Sequence, residues 1–214
     1  MSRYQETEIE HALSAERFER YMRWADNDRG RAIELYILNV RISEAFYVPL
    51  HFLEVALRNR FHAVLADHMH EEWYYEPGFL LAENQQDQVM EAVDRLREEG
   101  KPPTPGRVVA ALTFGFWTTF TNRPYEPLWR QVLHRSGSRD GRNLSRKDLA
   151  RPLTRFRKLR NRIAHHEPVL HWNLTAHHAE MIAVTEWLSP VAADLIARHS
   201  RFRDVYPAEP IILA

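Results

Sequence analysis

Along this chain apolar residues recur at intervals of three and four and seldom of two, the spacing of a helical face rather than of a strand. Ser14 is placed to cap a first helix reaching about Ala25, and a second runs from about Arg29 to Phe46 before Pro49 forces a bend or break. A third follows, on which Leu50, Leu53, Leu57, Phe61 and Val64 form a core stripe continuing to about His68. A fourth covers roughly Glu83 to Glu99 and stops at Gly100, with Pro102 and Pro103 beyond. Thr104 and Pro105 then read as the cap and first position of a helix running through Trp117. That helix is apolar nearly all round, which makes it central, and its interior Gly115 is costly unless a neighbouring backbone approaches there.

A short helix over about Glu126 to Arg135 leads into Ser136 to Asn143, a polar stretch that reads as a flexible loop without strands. Ser145 with Asp148 three residues on has the form of a capping box, opening a helix that runs past Pro152 to about His165, where Pro168 prevents continuation. Two more helices, about Asn173 to Leu188 and Pro190 to Ser200, complete an all-α pattern with no internal repeat. A length of 214 residues suits a single domain, residues 1–214, around one sizeable core.

The chain has no cysteine, which removes disulfides and thiolate metal sites and points to a reducing, cytoplasmic setting. Met1 to Glu10 are polar and acidic, unlike a signal peptide, and no apolar run approaches the roughly 20 residues that span a bilayer. Acidic and basic residues balance at 29 each, yet eleven of the basic ones stand between Arg135 and Arg162, against Asp140 and Asp148 alone. Nearly all are arginines, whose planar, bidentate guanidinium suits phosphate oxygens. A solvated face, salt-bridged to the acidic N-terminal half, accounts for the same charges equally well.

At about 100° per residue, Leu149, Leu153, Phe156, Leu159 and Ile163 share one stripe of the motif helix, and Arg160 falls inside it. A guanidinium facing a core needs a carboxylate, a phosphate or several carbonyls to offset its desolvation. Glu54 on the third helix is the candidate partner, aligned with His51, Arg58 and His62 within about 80° on that helix's polar side. Asn161 and His165 lie within about 40° of each other, whereas Arg160 and His165 are about 140° apart. Either the helix unwinds ahead of His165, or a second copy packs across it, which predicts a homodimer.

The run Leu159-Arg160-Asn161-Arg162-Ile163-Ala164-His165-His166-Glu167-Pro168 resembles the signature of the Abi-like (abortive infection) family of the HEPN superfamily. Three further blocks resemble that family in the same order: Leu53 to Asn59, Leu112 to Trp117, and Ser200-Arg201-Phe202. The resemblance implies an all-helical HEPN bundle with additional helices, a homodimer with a composite active site, and a metal-independent endoribonuclease used in antiviral defence. It further implies RNA as substrate, an antitoxin or phage trigger as regulator, and no cofactor. Carried over by motif, the catalytic set is Arg160, Asn161 and His165. His166 also satisfies the spacing, with five intervening residues, and His165 is preferred as the tighter match. Glu54 and Arg58 stand as supporting residues, and Arg155, Arg157, Lys158 and Arg162 as RNA contacts.

These residue types fit the chemistry, because RNA carries its own nucleophile in the 2′-hydroxyl and leaves the protein only protons and charge to manage. Three other readings stand beside this one. Arg160 merely bridges Glu54 while the histidines cap a helix C-terminus; or the chain is an RNA- or protein-binding module without catalysis. The third is a metal hydrolase, prompted by His165, His166, His171, His177 and His178, although none of these pairs has the three- or four-residue spacing of helical ligands.

Overall fold

The computed structural model describes residues 12, 13 and 15–214, so the expected cap at Ser14 lies outside it. Helix α1 (Ala15–Trp24) turns into α2 (Arg29–Ala45) through Asp26 and Asn27, both left-handed, residue types that tolerate that region best. Asp28 caps α2, its carboxylate accepting the Arg31 amide at 3.0 Å. The break before α3 (Tyr47–His68) comes at Phe46, ahead of Pro49. Pro49 sits in the first turn of α3, where its missing N–H leaves no hydrogen bond unmade. Leu53, Leu57 and Phe61 are fully buried along α3, as their spacing predicts.

After a 3₁₀ turn at Trp73–Tyr75, α4 (Gln85–Glu98) ends at Gly100, whose left-handed φ of 68° closes the helix. The single central helix expected through Trp117 is two: α5 (Pro105–Ala111) and α6 (Phe114–Thr119). Thr113 makes the break, its hydroxyl accepting the Phe116 amide at 3.2 Å and opening a new helix where an apolar residue would have continued the old one. No backbone crowds Gly115: a Cβ there would meet only the Thr113 hydroxyl, at 3.4 Å. The close approach occurs at Gly137, where a Cβ would lie 2.1 Å from the Trp187 carbonyl oxygen.

Helix α7 (Glu126–Gln131) and a 3₁₀ turn at Leu133–Ser136 lead to the stretch expected to be a flexible loop, which instead forms a hairpin, β1 (Ser138–Arg139) paired antiparallel with β2 (Arg142–Asn143). Asp140 and Gly141 between them are both left-handed, the two-residue turn that an Asp-Gly pair favours. Helix α8 (Arg146–Ala164) opens with the predicted capping box, Ser145 and Asp148 each satisfying the other's backbone amide. Leu149, Leu153, Phe156 and Leu159 are all fully buried. Helices α9 (Leu174–Leu188), α10 (Pro190–His199) and the short α11 (Phe202–Val205) follow.

Helices α9 and α10 pack on α3, and α8 packs on α6 and α9. One contiguous core runs from Phe18 to Phe202 and includes Trp73, Trp117 and Trp129. Apart from the hairpin the described residues form an all-α fold, and no helix among them is long and apolar enough to cross a membrane.

Candidate functional site

The motif helix reaches its functional end as its hydrophobic support gives out. Leu159 is fully buried, but Ile163, one turn on, is only half-buried, and Arg160 between them is exposed. Arg160 keeps the phase of the apolar stripe, yet the stripe has run past the core and onto the wall of an open cleft. The expected core-facing arginine is therefore a cleft arginine. No ion pair within 4.0 Å joins it to Glu54 or to any other described residue.

That cleft encloses about 690 Å³. Helix α2 contributes Asn39, Val40, Ser43 and Glu44, and α3 contributes Tyr47, Leu50, His51, Glu54, Val55 and Arg58. The third wall is the end of α8, with Arg160, Ile163 and Ala164, followed by His166. The site is thus built where α3's polar side meets the C-terminal turn of the motif helix. His62, expected on the same side, points elsewhere: its Nδ1 accepts the Trp73 indole N–H at 3.0 Å, and burial holds the imidazole below its ordinary range.

The turn after α8 decides which histidine lines the cleft. His165 is the C-cap, its backbone N–H bonded to the Asn161 carbonyl at 2.9 Å. His166 follows with φ +57°, in the left-handed region. Its amide bonds to Ile163 O at 3.0 Å, and the Glu167 amide reaches back to Arg162 O at 2.8 Å, the paired bonds of a Schellman motif. Glycine is the usual residue at that position, because a Cβ is strained there. The structure brings Arg160 and His166 into one cleft and leaves Asn161 and His165 exposed outside its lining.

Two contacts fix this turn. Asn39, buried in α2, accepts the Val169 amide on Oδ1 at 2.7 Å. Arg162 donates to the Pro168 carbonyl at 3.1 and 3.0 Å and pairs with Glu167 at 3.2 Å. Arg162 is therefore a strut of the turn, its guanidinium engaged within the protein. Arg155 is similarly engaged by Glu180, whereas Arg157 and Lys158 are exposed with no ion pair among the described residues. Sequence reasoning missed Asn39, for which the signal was a polar residue inside the otherwise apolar run Ile37-Leu38-Asn39-Val40. It also missed Tyr47, whose ring is 70% exposed at the cleft mouth.

Glu54 is half-buried in the cleft, and burial pushes its carboxyl above the ordinary range. Arg160, then Arg58 and His51, pull the other way. Arg58 reaches the Ala110 carbonyl at 3.3 Å, and its Nε is buried without a partner. The other histidines of the metal reading are engaged separately: His177 meets Asn173 O at 2.5 Å, the His171 ring accepts the Trp172 N–H at 3.0 Å, and buried His178 meets Ser200 Oγ at 2.9 Å. No group of three or more His, Asp or Glu residues placed to hold a metal ion occurs among the described residues. Compared with known protein families, curated proteins and solved structures, the chain matches none.

Proposed function

We propose that this chain is a metal-independent endoribonuclease of the Abi-like HEPN kind, acting in abortive-infection defence as a toxin. The observation that carries the reading is His166: a left-handed residue, in a conformation where glycine would carry no strain, lines the same cleft as Arg160. The motif resemblance over Leu159 to Pro168 supports it independently. His166 replaces His165 as the preferred imidazole, and Asn161 then acts outside the cleft, through the turn or through a second copy.

In this reading the 2′-hydroxyl of RNA attacks its own phosphorus while His166 takes the hydroxyl proton. Arg160 holds the extra negative charge of the phosphorane-like transition state through charge-assisted hydrogen bonds. The bond to the 5′-oxygen breaks, that oxygen takes a proton from water, and the ends are a 2′,3′-cyclic phosphate and a 5′-hydroxyl. Arg58 and Glu54 support the cleft. A homodimer belongs to the proposal, with a second copy packed across the end of the motif helix so that the two chains share the site. Cytoplasmic location and control by an antitoxin or phage trigger follow from the resemblance alone.

A non-catalytic RNA- or protein-binding module is the second reading, favoured by the apolar part of the cleft wall, Val40, Leu50, Val55 and Ile163. Incubation of purified protein with mixed RNA in chelator separates the two. Cleavage should occur, with Arg160→Ala and His166→Ala each lowering its rate by about 100-fold or more, while His165→Ala changes it by less than about fivefold. Binding without cleavage would establish the module. Loss of activity in His165→Ala but not His166→Ala would return the imidazole assignment to His165.

A further inference from the structure

Tyr47 stands at the mouth of the cleft with its ring exposed and stacked on His51, centroids 6.0 Å apart and planes 17° from parallel. Large aromatic rings are normally placed so that burial uses their area, and a ring held flat against a second ring offers its outer face to a third flat group. In the same cleft, Glu54 makes no hydrogen bond and no ion pair among the described residues, although Arg160, Arg58 and His51 are its electrostatic neighbours. Its oxygens are open to the cleft rather than sealed in the core, so both remain available to accept from a ligand that displaces water there. The volume of about 690 Å³ lies within the usual range for small-molecule sites. The cleft therefore offers, side by side, a cation at Arg160 that suits phosphate and a carboxylate at Glu54 that suits N–H donors.

We infer that the cleft reads a single unpaired guanine of the RNA, stacked on Tyr47 and hydrogen-bonded through two adjacent N–H groups to Glu54. The inference rests on the nuclease reading for the placement of the phosphate at Arg160. Guanine follows from the chemistry of the acceptor. Its pairing edge presents two neighbouring donors, N1–H and the 2-amino group, which match the two oxygens of one carboxylate. Adenine and cytosine present one donor beside an acceptor that would face the carboxylate's lone pairs, and uracil presents a single imino donor between two carbonyls. Glu54 is then a specificity residue and Tyr47 a stacking platform. A double-stranded guanine is excluded, because its donors are already paired.

Uncleavable 2′-O-methyl oligonucleotides test this apart from catalysis, with fluorescence anisotropy as the readout. A uridine 8-mer carrying one central guanine should bind about tenfold or more tightly than the same strand with inosine, which lacks only the 2-amino donor. Glu54→Gln should erase that difference, and Tyr47→Ala should weaken every oligonucleotide by a similar factor, of order tenfold. Equal binding of guanine and inosine strands, or no binding, overturns the inference. Cleavage by the same preparation without base preference would overturn it while leaving the nuclease intact; guanine-selective binding without cleavage would do the reverse. Conversion of a dimer to monomer by Tyr47→Ala, with base-independent binding, would assign the cleft mouth to a second copy and overturn it as well.

Discussion

His166 carries a conflict between backbone and side chain that few residues in the chain share. Its left-handed φ is one of four at non-glycine positions among the described residues, and the other three belong to Asp or Asn. Those two types tolerate the region through local hydrogen bonding, whereas an imidazole there gains nothing evident for the fold. His166→Gly should therefore stabilise the protein by about 0.5–1 kcal/mol, read as a higher urea midpoint, while abolishing the proposed cleavage. A lower midpoint would show that the imidazole packs usefully and would remove strain as evidence for function. Glu54 follows the same logic at the other side of the cleft. Its carboxyl, pushed up by burial, is kept at some cost where an amide would fit.

Helix α8 connects these residues to the core, and its start is as determined as its end. Asp148 closes the capping box and takes Arg142 and Arg139 from the hairpin, at 2.8 and 3.3 Å. The hydrogen bond from Arg142, helped by Ser145, holds its carboxyl well below the ordinary range. A carboxyl depressed in the fold contributes stability that is present above its unfolded value of about 3.9 and lost as pH falls through the lower folded value. Asp148→Asn should cost about 1–2 kcal/mol at pH 7, and the gap between variant and parent should narrow below about pH 4 in denaturation series at both pH values. An unchanged gap would mean that the amide caps as well as the ion pairs do. Much of this element was legible in the sequence: Ser145 with Asp148 gave the start, the stripe from Leu149 to Leu159 gave the buried face, and Pro168 gave the end. The errors came from short signals inside longer patterns. Thr113 capped a new helix within an apolar run, and Asp140-Gly141 made a hairpin within a polar one. At the site, the phase of Arg160 was legible, but its exposure was not, because a helical wheel cannot tell where along its axis the core stops. The same wheel could not foresee that a left-handed residue after the helix would leave His166, and not His165, in the lining of the cleft.

Over the whole molecule about half of the basic stretch between Arg135 and Arg162 is paired internally. Arg135 meets Asp67, Arg139 and Arg142 meet Asp148, Arg146 meets Glu126, Arg155 meets Glu180 and Arg162 meets Glu167. With a net charge of zero, the chain offers little long-range attraction to a polyanion, so on the proposed reading affinity for RNA comes from the cations left over. On α8 those include Arg157 and Arg160, about 60° apart, whereas Lys158 is about 160° from Arg160 and cannot touch the same strand through one cleft. Two phosphate contacts at roughly 0.7 each give a slope near −1.4 for the logarithm of affinity against that of salt, in place of the slope near −7 or −8 that the full basic stretch would give. Arg157→Ala should reduce that slope by about 0.7, whereas Lys158→Ala should leave it unchanged. Arg155→Ala should also leave the slope alone and lower the unfolding midpoint instead, because its guanidinium holds α8 to α9 through Glu180. Salt titrations of anisotropy with an uncleavable single strand measure all three. A slope of about −5 or steeper would mean that RNA displaces the internal ion pairs and tracks the whole basic segment rather than the cleft.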